Sequence, residues 1–354
     1  MKKILLLTAV FLTLFSCEND NELKEDKIVL KTDVIDAEYS KKSDQIVYIS
    51  SNPSQINIFN TNSETTESIP LIHKPTCLSV SLDAKTAVVG HDGHITYINL
   101  ATKSIINTYD ISCDALDIVL GNDKWAYVFP KKDQWTYVRS INMNLLQDNE
   151  EPINIYNQIY AGTKGRLHPS GKYIYAQNST SRAIIERFNI QNGNIDNNFE
   201  SKYEEGGYVL IKSIWFSEDG NRLFSSNRSV LKTSELNSQD MVFNGKIEAD
   251  LNSNVEWLDH SAAKNNLYLI LSNGNYYSQV KSPYIYVYND SNLTFKSKLE
   301  LEKFSKVNKN TVTYYDAEPQ FVFSDSTGDN LFVITKAVQS DLDNEWGIQK
   351  LKVQ

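Results

Sequence analysis

Few residues in this chain have the type and spacing that chemistry asks for. The sharpest group is His91-Asp-Gly-His94. Asp92-Gly93 suits a two-residue hairpin turn, which would project the flanking imidazoles side by side on one face. Two imidazoles can share a metal, but a metal site normally takes a third or fourth ligand, and none is visible nearby. Asp341-Leu-Asp-Asn-Glu345 alternates acidic side chains in a loop that could hold calcium, yet it lacks the Gly and the length of a recognised calcium loop. His168 and His260 each close a short apolar segment beside a turn, a place for rim residues more than for catalytic bases. Cys77 and Cys113 stand near the starts of neighbouring strands, either as a disulfide or as two buried thiols. Gly-x-Ser-x-Gly, a phosphate-cradling Gly-rich loop, His-Glu-x-x-His and Cys-x-x-Cys are all absent. No set of acidic and His residues stands out at strand ends, so no catalytic residue, metal ligand or cofactor is assigned.

The elements that would carry any site repeat along the chain. A short apolar strand, a polar turn and a second strand rich in Tyr, Val and Ile recur at 37–49, 78–89, 116–128, 165–176, 213–224, 256–269 and 320–333. From Ile46 to Leu331 the mean spacing is about 47 residues, within the range of propeller blades. Third strands follow at 56–60, 94–99, 183–189 and 284–289, and weaker fourth ones after them. Such a unit cannot bury both its faces alone, so it must stack on its neighbours around an axis. The last repeat ends one strand short, and 27–31 has strand character, so it is expected to complete that repeat and close the ring.

His168-Pro-Ser-Gly-Lys-Tyr-Ile-Tyr-Ala-Gln-Asn178 resembles the repeat of YVTN-type, WD40-like seven-bladed β-propellers, a Pro-x-Gly turn followed by Tyr-Val-x-Asn. The resemblance implies an all-β fold with four antiparallel strands per blade over 27–354. It implies no chemistry, because such propellers serve as enzymes, binding proteins and scaffolds.

Lys2 and Lys3 precede an apolar run over 4–15, the layout of an export signal and too short to span a bilayer. Leu14-Phe15-Ser16-Cys17 resembles the lipobox of bacterial lipoproteins, which implies a signal peptide over 1–16 and acylation of Cys17. Acyl chains contribute about 0.8 kcal/mol per buried methylene, so two or more of them make a stable anchor. Residues 17–26 then form an acidic tether, similar to the surface-export signals of Bacteroidetes lipoproteins; an ordinary spacer on a periplasm-facing lipoprotein is the alternative. Hydrophobic residues make up 41% of the 354, enough for a sizeable core, and the excess of Tyr (20) over Met (3) favours strands over helices. A net charge of −9 argues against a nucleic-acid partner.

Insertions point to a working surface. Leu267 and Leu331 are about 64 residues apart, well above the mean period, and the excess falls at 272–283 and 302–317. With the loop 337–345, these segments should emerge on one face. They hold or adjoin Tyr276, Tyr277, Tyr284, Phe304, Tyr314, Tyr315 and Trp346, while Tyr203 and Tyr208 lie in another link toward that face. Aromatic side chains give large contact area with one polar handle. The expectation is a non-catalytic docking lipoprotein of the outer membrane. Its partner would be a TonB-dependent transporter, a secretion or assembly machine, or a small nutrient or glycan. The alternative is a lactonase- or hydrolase-type enzyme with a metal in the central funnel.

Overall fold

The computed structural model describes residues 27–132, 135–152, 158–177, 184–200, 212–250, 253–275, 278–309 and 311–353. The signal segment, Cys17, the tether, Tyr203, Tyr208, Tyr276 and Tyr277 lie outside the described residues.

Every one of the seven repeats forms its first hairpin, and the turn explains why. The chain reverses through a residue with left-handed backbone: Asp44, Ala84, Lys124, Gly171, Gly220, Asn265 and Gly328, with φ between 48° and 74°. Glycine takes this conformation without steric cost. At Gly220 a side chain would also lie 2.8 Å from the His168 ring, so the turn of one repeat packs on the turn of the next.

The hairpins extend into antiparallel sheets. Five have four strands and one has five; two more have only two. Six large sheets therefore stand where seven repeats had suggested seven. The five-stranded sheet carries repeats two and three. Within it, Thr86–Asn99 turns back on itself, with Leu100 N–H donating to Lys85 O at 2.9 Å. Ser104–Leu120 then pairs with that segment up to Asp114, and from Ala115 onward with Trp125–Pro130. No loop separates the outer strand of the second repeat from the inner strand of the third, and the two sheets merge.

The first described strand closes the ring. Lys27–Leu30 pairs antiparallel with Trp346–Lys352, matching Lys27 to Gln349 and Leu30 to Trp346. It is the outer strand of the last sheet, as its sequence suggests. The junction between the last and first sheets is as dry as the others: Ile46, Phe59, Ile334 and Ile348 are wholly buried there, with the Phe59 and Phe332 rings 6.2 Å apart edge to face. Burying each such side chain contributes about 1.5–3 kcal/mol.

The long link before the last repeat folds as a separate hairpin, Phe304–Asn308 against Thr311–Tyr315. The inserted part of the sixth repeat lengthens Asn266–Asn275 and Ser278–Asn289 beyond their neighbours. Among the described residues, no helix is long and apolar enough to cross a membrane.

Candidate binding face and central channel

The inner strands surround a central channel of about 510 Å³. Side chains alternate along a strand, so each inner strand offers two to the axis. The pairing registers align them into two levels. One level holds Asp36, Cys77, Asp117, Lys164, Ser213, Trp257 and Phe321; the other holds Glu38, Ser79, Val119, Arg166, Trp215, Asp259 and Phe323, and all line the channel. Repeats one to four thus supply a charged wall, and repeats five to seven an aromatic one.

The acidic residues have a structural reason to be there. An inner strand is a sheet edge, and its outward N–H groups need acceptors. Leu78 N–H donates to Asp36 Oδ2 at 3.0 Å and Val80 N–H to Glu38 Oε2 at 2.7 Å. Gly165 N–H reaches Asp117 Oδ2 at 2.9 Å, and Ser324 N–H reaches Asp259 Oδ2 at 2.9 Å. At these junctions one repeat caps the inner edge of the next. Burial deep in the channel disfavours the charged forms. It pushes the Glu38 carboxyl up to about 8 against the pull of the Val80 N–H and Arg166, and Asp117 up to about 6 against Lys164. Burial raises Asp36 as well.

Across the channel the rings hold one another. Trp257 lies 4.7 Å from Phe321, 5.8 Å from Phe323 and 6.2 Å from Trp215, and its indole N–H donates to Val322 O at 3.1 Å. Arg166 bridges the two walls, its guanidinium 5.7 Å from the Trp257 ring centre.

One mouth is tied shut. Lys41 reaches across from the first repeat to Glu218 of the fifth, to His260 O (2.6 Å) of the sixth and to Ser324 Oγ (3.0 Å) of the seventh. The other mouth, where the inner strands enter from the links, carries the exposed Lys164. The channel is a funnel opening on the same face as the insertions.

On that face the predicted aromatics differ in availability. Tyr314 is 64% exposed. Phe304 is buried among core side chains beneath the Lys27 ammonium, which corrects its assignment to the binding surface. Tyr284 is half-buried under Lys298, Trp346 is half-buried beside Lys336, and Tyr315 donates its hydroxyl to Asp341. The outward apolar residues are aliphatic instead: Val280 (68% exposed), Val307 (73%) and Val312 (46%), with Val307 and Val312 directly paired across the inserted hairpin. A search for aromatic rings passes over them. The alternation of Val with polar residues at 305–313 is the signal that marks them.

The linear motifs resolve as structural contacts. His91 is buried, bonded through Nε2 to Thr96 Oγ1 (2.9 Å) and through Nδ1 to Lys74 O (3.1 Å), and burial lowers its pKa to about 4. His94 stacks on His73 at 3.8 Å and His73 lies 5.7 Å from His91, so the rings meet by stacking, and among the described residues no group of three or more ligands could hold a metal. Lys306 and Tyr315 engage the Asp341 carboxylate, and Lys336 faces Glu345. His168 Nε2 meets Gly220 O at 2.8 Å, and His260 is buried against Asp290. Cys77 and Cys113 are buried free thiols.

The channel is what motif scanning missed. Its charged residues all lie in or beside the quoted repeats, but they come together only when the repeats are aligned by register and read column by column.

No family model matches the chain, and no curated protein does either. Among solved structures, the β-propeller domain of Cps50 (Swd1) from Myceliophteria thermophila aligns over 93% of this chain and 100% of that one, with a TM-score of 0.63 and 11% identity. The fold is a β-propeller of antiparallel blades. The likeness extends to 1367 solved chains, a breadth that identifies architecture and no activity.

Proposed function

We propose that the protein is a non-catalytic docking lipoprotein, a seven-bladed propeller of YVTN type held to a bacterial outer membrane by acylated Cys17. Seven left-handed hairpin turns support the blade count, with the five-stranded sheet taken as two blades sharing one strand. The observation that carries the docking role is the inserted face of the sixth and seventh repeats. Val280 stands out from it on the lengthened end of a blade strand, and Val307, Val312 and Tyr314 on a separate two-stranded hairpin. Exposed apolar groups on a projecting hairpin fit a protein partner, in this reading a transporter or an assembly machine of the same membrane. Extraction of the full chain in mild detergent after crosslinking is expected to recover such a partner. Val307→Asp with Tyr314→Asp is expected to abolish recovery while Cys17→Ala releases the protein from the membrane. Recovery of the lipoprotein alone would count decisively against docking.

A further inference from the structure

The hydrogen-bonding capacity of the channel is unbalanced. Asp36 uses both carboxylate oxygens on backbone N–H groups, those of Ala37 and Leu78, while Glu38 and Asp117 each use one. The side chains of Lys164 and Arg166, two residues apart on one strand and so about 7 Å apart along it, make no hydrogen bond or close ion pair to any described residue, although both attract the Asp36 and Asp117 carboxylates at longer range. A guanidinium offers five N–H groups and an ammonium three. The indole N–H of Trp215 is buried with no acceptor among the described residues. The recess therefore holds uncommitted donors on Arg166, Lys164 and Trp215 beside the remaining carboxylate acceptor sites of Asp36, Glu38, Asp117 and Asp259. A ligand that engages the guanidinium and the ammonium has to bring acceptors.

The apolar half of the recess fixes the rest of the ligand. Trp257 and Phe321 are half-buried, stand 4.7 Å apart edge to face, and lie beside the Arg166 guanidinium. A flat apolar body set against them would carry its charged end toward Arg166 and Lys164, where a planar carboxylate can take two parallel N–H bonds. The volume lies within the range of small-molecule sites, and the mouth stands open on the Lys164 side.

The geometry points to a binding site in the central channel for a small organic carboxylate with a flat apolar body, its anionic end held by Arg166 and Lys164 and its body against Trp257 and Phe321. This site is separate from the inserted hairpin and does not depend on the docking role.

A matched set of probes tests it by calorimetric titration of the full-length protein. Phenylacetate, 2-phenylethanol and phenethylamine share one body and differ in the charge of the end group. Saturable binding of phenylacetate, at least about tenfold tighter than either of the others, is the expected result. Arg166→Gln is expected to weaken phenylacetate about tenfold and leave the unfolding midpoint in place, because Arg166 makes no hydrogen bond that holds the fold. Lys164→Gln, at an exposed position, serves as a second variant and is expected to weaken binding by a smaller factor. Equal or tighter binding of the amine or the alcohol overturns the proposal. So does the absence of binding by all three, or retention of full affinity in both variants.

Discussion

The two walls of the channel occupy the same register positions and solve the same problem in different ways. On the charged wall, Asp36, Glu38 and Asp117 reach sideways to the backbone of the next blade, so each carboxylate is a directional bridge. On the aromatic wall, Trp257 packs against Phe321, Phe323 and Trp215, and contact area is added to the directed bonds of Asp259 and the Trp257 indole. Directed bonds leave polar atoms facing the axis, where a ligand can find them. Packed rings leave a surface that excludes water and fixes the shape of the recess.

The sharpest way to break this contrast is to remove the hub of the packed side. Trp257→Ala deletes three ring contacts and the bond to Val322 O, and is expected to cost about 3–5 kcal/mol in denaturant unfolding. A loss below about 1 kcal/mol would show that the rings are accessory, since surface changes fall in that range. On the other wall, Asp36→Ala leaves the Leu78 N–H without its acceptor and is expected to cost about 1–3 kcal/mol. Asp36→Asn keeps an acceptor and should recover most of that stability; equal losses in both variants would remove the bridging role.

A smaller effect distinguishes the walls by pH. The folded protein keeps Glu38 protonated up to about pH 8, whereas the unfolded chain releases that proton near 4.5. Its contribution to stability is therefore complete below pH 4.5 and is lost as pH rises through 8. His91, lowered to about 4, has the opposite sign: its contribution is present above pH 6.5 and lost below it. Asp219, Asp290 and Asp325 are lowered and act at still more acidic pH. Between pH 6.5 and 8 Glu38 contributes a falling slope, with the raised Asp36 acting in the same direction, and Glu38→Gln should reduce it in denaturation series across that window. An unchanged slope would mean that Glu38 is charged throughout.

The smallest effect is expected on the inserted hairpin. Val307→Asp should shift stability by no more than about 0.5 kcal/mol, because its side chain is 73% exposed. A larger loss would turn the hairpin from a presented surface into part of the ring.

The ring was legible in the sequence because its determinants are local. Three repeats mark their turns with Gly171, Gly220 and Gly328, apolar runs recur in every repeat, and the spare strand at Lys27–Leu30 could be matched to a missing one. The merger of two sheets was not legible, since it depends on a link over 111–114 that keeps extended backbone instead of forming a loop. The channel was hidden for another reason. Its charged residues sit in four separate repeats, in or beside copies otherwise read for their apolar pattern, and a linear scan of motifs cannot bring them together. Exposure defeated the reading of Phe304: a ring in an inserted segment looks available until the Lys27 side chain and the core are seen to enclose it.

The strand pairing of Lys27–Leu30 with Trp346–Lys352 joins almost the first described residues to almost the last. A chain that lacks either segment leaves the last sheet one strand short, because each is the other's partner. The donor strand has no partner until residues 346–352 are made, and a cut between it and the body of the ring opens the latch of the whole circle.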